Sequence, residues 1–443
     1  MGEESVFRYQ IATLGCRVNQ YESESIAAEL QLNGGTPADQ PDGVNLFIIN
    51  TCTVTAKAAM QSRQAVRHLI RENPNAVVLV TGCYAQSEPG IFMEMPGVDY
   101  VIGNSDKHHI HRIIGDTPQK PENRPQRACS PIIRHTEFKQ TRLPIAGCRA
   151  RPYLKIQDGC DDFCSYCIVP YTRGPSRSLP TEAVFKMLGQ LKTNGAKEAV
   201  LTGIHIGRYG LDLTPQTSLD ELLKQIDTAD AIDRIRLSSI EPGELTDGII
   251  HMAAANRRIC RHFHIPLQSG NGAILKRMKR PYTPDFFKKL VLSIHDRIKD
   301  AAIGVDVLVG FPGEDEKAFN NTYDLLASLP ITYLHVFPFS PRRGTPAARY
   351  PDPVDPQILK ARCALLRQLS REKRAEFYER QIGQVVDVIL EDKPDPSSGR
   401  FKGISANYIS VFTAAPNAYK NSLVSCRLVS PAPPLGVIGE IVV

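Results

Sequence analysis

The chain has 443 residues, 42% of them hydrophobic, a formal net charge of +6 and 11 cysteines. That length and composition predict a globular protein of two to four domains. No run of 18 apolar residues occurs, which excludes a membrane-spanning helix, and Met1-Gly-Glu-Glu-Ser lacks a signal-peptide pattern, so a cytoplasmic protein is expected whose cysteines serve metal or catalysis rather than a disulfide framework.

Residues 7–105 alternate strand-like and helix-like stretches. The pattern predicts strands over Arg8–Leu14, Gly43–Asn50, Ala76–Thr81 and Val98–Ile102, and helices over Tyr21–Gln31 and Ala56–Glu72. Such alternation implies a parallel doubly wound sheet. Cys16, Cys52 and Cys83 each follow one of the first three strands, in Leu14-Gly-Cys16, Asn50-Thr-Cys52 and Thr81-Gly-Cys83. The carboxyl ends of such strands line the ligand crevice, so three cysteines distant in sequence converge on one edge and suggest a metal site. Gly15 and Gly82 suit a tight turn beside a bulky ligand. Residues 106–150, rich in Pro, Arg and His, read as a connector in which Cys129 and Cys148 are bystanders.

Pro152–Gln157 is predicted as a strand leading into Cys160-Asp-Asp-Phe-Cys164-Ser-Tyr-Cys167. The spacing is Cys-x3-Cys-x2-Cys. Three thiolates on one loop can hold three irons of a [4Fe-4S] cluster and leave the fourth iron open; a zinc finger would need a fourth nearby ligand. Arg173, just beyond, reads as a solvent-facing cation with the option of meeting an anion. Five further strands are predicted, Glu198–Thr202, Ile232–Ser238, Phe263–Leu267, Ala302–Val309 and Tyr333–Phe339, alternating with helices. Six βα units fit a partial or full (β/α) barrel whose site lies at the strand carboxyl ends. His264 reads as a satisfied barrel histidine.

Pro351–Arg380 is predicted as one basic helix. Val385–Leu390, Arg400–Gly403, Tyr408–Phe412, Leu423–Leu428 and Val437–Val442 read as short strands of a small β-barrel of the kind that grips oligonucleotides, or as a cap on the larger barrel. Basic residues cluster: residues 107–151 carry ten Lys/Arg against three Asp/Glu, residues 256–280 seven against none, and residues 342–380 ten against five. A polyanionic partner and ordinary solvated faces both fit that pattern.

These residues together resemble the radical S-adenosylmethionine methylthiotransferase family over nearly the whole chain. The resemblance is carried by both cysteine trios, by Asp158-Gly-Cys160 and Cys167-Ile-Val-Pro-Tyr-Thr-Arg173-Gly174, and by His264-Ile-Pro-Leu-Gln-Ser-Gly270. Asp306-Val-Leu-Val-Gly310-Phe-Pro-Gly-Glu314 and Pro338-Phe-Ser-Pro-Arg-Arg-Gly344-Thr345 add to it. The run Cys16-Arg-Val-Asn-Gln-Tyr-Glu-Ser-Glu24 most resembles the branch acting on N6-threonylcarbamoyladenosine in tRNA.

The resemblance implies four segments: a methylthiotransferase domain over 7–115, a basic connector over 116–145, a radical domain over 146–378 and an OB-like TRAM RNA-binding domain over 379–443. It implies two [4Fe-4S] clusters, one on Cys160, Cys164 and Cys167 and an auxiliary one on Cys16, Cys52 and Cys83. It implies S-adenosylmethionine both as methyl donor and as radical source, and methylthiolation of C2 of the modified adenosine at position 37 of tRNA. For the cofactor it points to Tyr166, Thr202, Gly203, Glu241 and Gly310. Partners would be the anticodon stem-loop, held in part by Arg257–Arg280 through phosphates, and an electron donor such as flavodoxin or ferredoxin; the enzyme would be a monomer. Two rival readings are a sibling enzyme acting on isopentenyl-adenosine or ribosomal protein S12, and a non-catalytic zinc-containing RNA-binding protein.

Overall fold

The computed structural model describes residues 7–122, 125–132, 137–139, 149–416, 419–432 and 436–442; Cys148 lies outside them. The chain divides into two compact units. Unit 1 gathers Met1–Gly147, Gln157–Leu179 and Ser340–Ala348; unit 2 gathers Cys148–Ile156, Pro180–Phe339 and Arg349–Val443.

Unit 1 contains a six-stranded sheet of β1 (Phe7–Thr13), β2 (Gly35–Pro37), β3 (Leu46–Thr51), β4 (Val77–Gly82), β5 (Tyr100–Ile102) and β6 (Gln126–Ala128), in the order β2-β1-β3-β4-β5-β6. Every pairing is parallel. β3 and β4 are buried at every position, because successive side chains face opposite covered layers. Leu46, Ile48, Val77 and Leu79 pack with Ile26 and Leu30 of the helix Arg17–Leu32. Phe47, Ile49, Val78 and Val80 pack with Ala59 and Val66 of the helix Ala56–Glu72. The chain runs from β1 out to β2 and returns past β1 to β3, so the strand order reverses between β1 and β3. Part of the expected connector belongs to this sheet: β6 pairs with β5, and Ile110 and Ile114 of the helix Ile110–Ile114 enter its core.

The cysteine loop also belongs to unit 1. Its ends are clipped by a two-residue antiparallel ladder in which Gln157 faces Ser178 and Asp158 faces Arg177.

The first six described strands of unit 2 are Tyr153–Lys155, Glu198–Thr202, Arg234–Leu237, His262–Gln268, Ala302–Val309 and Tyr333–Pro338. They form two three-stranded parallel sheets, and isolated parallel bridges, Ile235 to Ile259 and Ser239 to His264, continue the order from one to the other. Among the described residues the two outermost strands do not pair with each other, so the six strands make an open arc. Side-chain caps start the intervening helices: Ser218 accepts from Glu221 N, Thr246 from Ile249 N, Thr283 from Phe286 N and Asp315 from Ala318 N. The long helix spans Pro356–Gln381. It begins later than its composition predicts, because Asp355 caps it and Pro356 suits its first turn.

The last five strands, Val385–Pro394, Phe401–Ser405, Ser410–Thr413, Leu423–Ala432 and Gly436–Ile441, close into a small barrel. Val388, Leu390, Val411, Cys426 and Leu428 fill it, and Phe377 and Tyr378 of the long helix join that core. Among the described residues no helix is long and apolar enough to cross a membrane.

Candidate functional site

Cys16 is the N-cap of the helix Arg17–Leu32, Cys52 follows β3, and Cys83 is the first residue of the helix Cys83–Ser87 after β4. A helix amino terminus favours a thiolate at Cys16. Gly15 and Gly82 both have positive φ, +99° and +100°. A Cβ on Gly15 would lie 2.7 Å from Cys52 Cβ and 2.8 Å from its Sγ, so the Cys52 side chain packs on the backbone beside Cys16. A Cβ on Gly82 would collide with Thr51 O and Asn50 Oδ1. Each glycine lets two cysteine-bearing turns approach closely.

The three thiols sense one another. Burial pushes the Cys16 thiol up, Arg173 opposes that and Cys83 adds to it. Burial pushes Cys52 up to about 12, with Cys83 and Cys16 contributing in the same direction. Cys52 and Cys83 are buried, whereas Cys16 is reached by solvent. Burial thus opposes ionisation of Cys16 and Cys52 in the free protein, and binding of a cation would release their protons. The donor set therefore fits a metal centre held by three cysteines.

A buried polar frame, which the sequence reading did not foresee, supports this trio. Asn19 Nδ2 donates to Leu14 O (2.8 Å) and Thr51 O (3.1 Å), and Asn50 Nδ2 donates to Asn19 O (3.0 Å). Ser62 Oγ donates to Cys52 O (3.0 Å) and accepts from Cys52 N (3.2 Å). Asn104 Nδ2 lies 3.4 Å from Cys83 Sγ as a donor and 2.9 Å from Thr172 O, which joins the trio to the second cysteine loop.

Arg173 is the largest correction to the sequence reading. It is 2% exposed rather than solvent-facing. Its guanidinium donates to Glu22 Oε1 (2.8 Å) and Oε2 (3.1 Å), Asn19 Oδ1 (2.7 Å) and Asp158 Oδ1 (3.2 Å). Lys107 Nζ donates to the same Glu22 at 2.7 Å, and Arg177 Nη2 to Asp158 Oδ2 at 3.0 Å. Burial opposes the charge on Arg173, but Glu22 and the other anions around it outweigh burial and hold it firmly protonated. Burial lowers Lys107. Three cations face two carboxylates in this network, and the surplus positive charge suits an anionic set of thiolates. Asn19 and Glu22 stand three and six residues after Cys16, on the inner side of its helix; that spacing was the available signal.

Cys160, Cys164 and Cys167 sit on the clipped loop. Cys160 N donates to Gly174 O (3.0 Å) and Cys167 N to Cys164 O (3.0 Å). Gln157 Nε2 donates to the carbonyls of Asp158 (3.0 Å) and Gly159 (2.9 Å). Ala347 N donates to Ser165 O (2.8 Å), which anchors the segment Ser340–Ala348 on the loop. Cys164 is buried, while Cys160, Tyr166 and Cys167 are half-buried. Phe163 and Tyr171 stand exposed and meet edge to face, 5.6 Å apart.

A cavity of about 630 Å³ lies in unit 1. Thr53, next to Cys52, and Ile168, next to Cys167, both line it, with Tyr171, Glu88, Glu94, Arg342 and Arg343. Arg342 Nη1 donates to Thr53 O at 3.0 Å.

In unit 2, Thr202 ends its strand and accepts from Ile156 N (2.9 Å). Gly203 follows it. Glu241 lies beyond the next strand and Gly310 beyond Ala302–Val309, so all four occupy the carboxyl edge of the arc. Glu241 is paired with Arg280; burial raises its carboxyl and Arg280 opposes that. Gly310 has φ +76°, and a Cβ there would lie 2.5 Å from Leu359 Cδ1, so the space beside it is taken by the long helix. His264 Nε2 is 2.7 Å from Asp306 Oδ1, and His335 Nδ1 3.3 Å from the same oxygen. Burial pushes the Asp306 carboxyl up, but these two histidines outweigh it and hold it well below the usual range. The basic stretch 256–280 is partly neutralised. Arg258 pairs with Asp227 and Asp230, Arg261 with Asp300 and Arg280 with Glu241.

Residues 8–103 match the uncharacterized protein family UPF0004, and residues 154–326 the radical SAM superfamily. The chain is 40% identical to the threonylcarbamoyladenosine tRNA methylthiotransferase MtaB of Bacillus subtilis, covering 90% of this chain and 88% of that protein. It is 36% identical to MtaB of Aquifex aeolicus, over 85% and 91%. It is also 33% identical to a tRNA-2-methylthio-N(6)-dimethylallyladenosine synthase of Pelotomaculum thermopropionicum, over 93% and 92%. Among solved structures, the radical S-adenosylmethionine methyltransferase TsrM of Kitasatospora setae shares the fold, with a TM-score of 0.55 at 14% identity over 74% of this chain and 72% of that one. Two cysteine trios in one packed unit, together with such identity along nearly the whole of both sequences, mean that the chain belongs to the radical S-adenosylmethionine methylthiotransferase family.

Proposed function

We propose that this enzyme methylthiolates C2 of N6-threonylcarbamoyladenosine in tRNA. The observation that carries the reading is the grouping of Cys16, Cys52 and Cys83 at the switch edge of the parallel sheet, in the same unit as Cys160, Cys164 and Cys167. Cys160, Cys164 and Cys167 would hold one [4Fe-4S] cluster, and Cys16, Cys52 and Cys83 a second. When bound, the first supplies the electron that cleaves S-adenosylmethionine and the second supplies the sulfur to be methylated and transferred.

The chain's own residues prepare for this. Arg173 and Lys107 set positive charge beside Cys16 and Cys83, which favours thiolates. Asn104 donates to the Cys83 sulfur. Thr202, Gly203 and Glu241 are assigned to S-adenosylmethionine by their place at the strand ends, and Tyr166 by its place between two ligands. Gly310 instead makes room for Leu359. The small carboxy-terminal barrel, of a shape that suits RNA, is assigned to the tRNA, with Arg257, Lys276 and Lys279 as phosphate contacts from the basic stretch.

Nucleoside mass spectrometry of tRNA from a deletion strain tests the substrate: the methylthio form of threonylcarbamoyladenosine should vanish while its unmethylthiolated parent accumulates. Persistence of the methylthio form with loss of the dimethylallyl counterpart would favour the sibling enzyme. Separate variants test the two trios. Cys164→Ala should abolish 5′-deoxyadenosine formation, whereas Cys52→Ala should keep cofactor cleavage and lose methylthio transfer. Transfer surviving in Cys52→Ala would remove the second cluster from this account.

A further inference from the structure

The cavity of unit 1 is a poor place for a purely hydrocarbon substituent. Four charged side chains line it, Glu88, Glu94, Arg342 and Arg343, beside Tyr171 and Ile168. Arg342 is committed, since its Nη1 holds Thr53 O at 3.0 Å and its Nε holds Pro341 O at 3.0 Å. Arg343 is different: it is exposed at the cavity, and among the described residues no hydrogen bond or ion pair engages it. It directly follows the pinned Arg342, so its backbone is fixed while its guanidinium remains available. Thr53 and Ile168 adjoin one ligand cysteine of each trio. A base brought near both trios would therefore carry its N6 substituent within reach of this lining.

The substituents named for the relatives differ in chemistry. Threonylcarbamoyl carries a carboxylate, a hydroxyl, a carbonyl and one N–H of its own; dimethylallyl carries none of these. A planar guanidinium recognises a carboxylate through two parallel hydrogen bonds. The carboxylates of Glu88 and Glu94 are acceptors for hydroxyl or ureido donors. An isopentenyl chain in the same place would desolvate these charges without pairing them, which penalises it.

We infer that Arg343 is the specificity residue that binds the carboxylate of the N6-threonylcarbamoyl group in this cavity. The inference rests on the proposed substrate. Its test uses reconstituted enzyme and two synthetic anticodon stem-loops, one with the threonyl carboxylate free and one with it converted to the primary amide. Wild-type enzyme should prefer the acid. In Arg343→Gln, KM for the acid should rise about ten- to a hundredfold, as for loss of one charged hydrogen-bonding partner, and the preference for acid over amide should disappear. Arg343→Lys should recover part of it. Iron content and the unfolding midpoint of Arg343→Gln should match wild type, because among the described residues no hydrogen bond or ion pair depends on the side chain. An unchanged KM for the acid in Arg343→Gln, with wild type active, overturns the inference alone. A wild-type enzyme inactive on the acid stem-loop but active on an isopentenyl one overturns the substrate reading and the inference with it.

Discussion

Arg173 illustrates what a single buried side chain contributes and why it escapes a sequence reading. It stands six residues after the third loop cysteine, beside a glycine and a proline, where an arginine usually meets solvent. Its partners, Asn19 and Glu22, are 154 and 151 residues away, so no local window reveals them. The cysteines were legible because their spacing and their place after strands are local; Gly15 and Gly82 were legible for the same reason. Removing the guanidinium leaves Glu22 and Asp158 buried with one cation fewer, and breaking a buried pair from one side costs about 3–5 kcal/mol. Arg173→Met should lower the denaturation midpoint of the apoprotein markedly. Arg173→Lys should fall between, since an ammonium keeps the charge but not the fork. Equal midpoints for wild type and Arg173→Met would contradict the network's role.

The elements divide by how far their patterns are self-contained. β3 and β4 read as unbroken apolar runs, and helices with a capping residue read cleanly. β2 and β6 did not, because three-residue edge strands with polar faces carry no periodicity. The basic stretch 256–280 is less basic in the fold than in sequence, because Asp227, Asp230, Glu241 and Asp300 reach it from neighbouring elements. The link between the arc and the small barrel was equally hidden. Glu198 is buried between Arg234 (2.5 Å) and Arg236 (2.9 Å). Those arginines donate onward to the carbonyls of Asp387 (3.1 Å), Ile404 (3.0 Å), Ser405 (2.9 Å) and Ala406 (3.1 Å). Burial pushes the Glu198 carboxyl up, yet Arg236 and Arg234 outweigh it and bring it down to about 2. A folded-state value below the unfolded one, about 4.3, stabilises the fold above that pH. The stabilisation fades as pH falls towards about 2, a contribution on the order of 3 kcal/mol. Unfolding midpoints measured between pH 6 and pH 2 should therefore fall more steeply for wild type than for Glu198→Gln, which should start lower at neutral pH. Parallel curves would remove Glu198 from the acid response.

At the scale of the molecule, two trios of thiolates predict an iron inventory. Anaerobic reconstitution should give about eight irons and about eight sulfides per chain, and the triple variant Cys16→Ala, Cys52→Ala, Cys83→Ala should retain about four of each. Stoichiometric zinc with no visible charge-transfer absorption would favour the RNA-binding rival. Unit 1, which carries both trios, is assembled from three separate stretches that end only at Ala348. Domains generally fold as they leave the ribosome, amino-terminal parts first, but this one cannot be completed in that way. When Cys16, Cys52 and Cys83 have emerged, Arg173 and the segment that pins Thr53 are still untranslated. Completion of unit 1 therefore waits until more than three quarters of the polypeptide has been synthesised, and a gene fragment encoding the leading stretch alone would yield a product in which Lys107 faces Glu22 without Arg173.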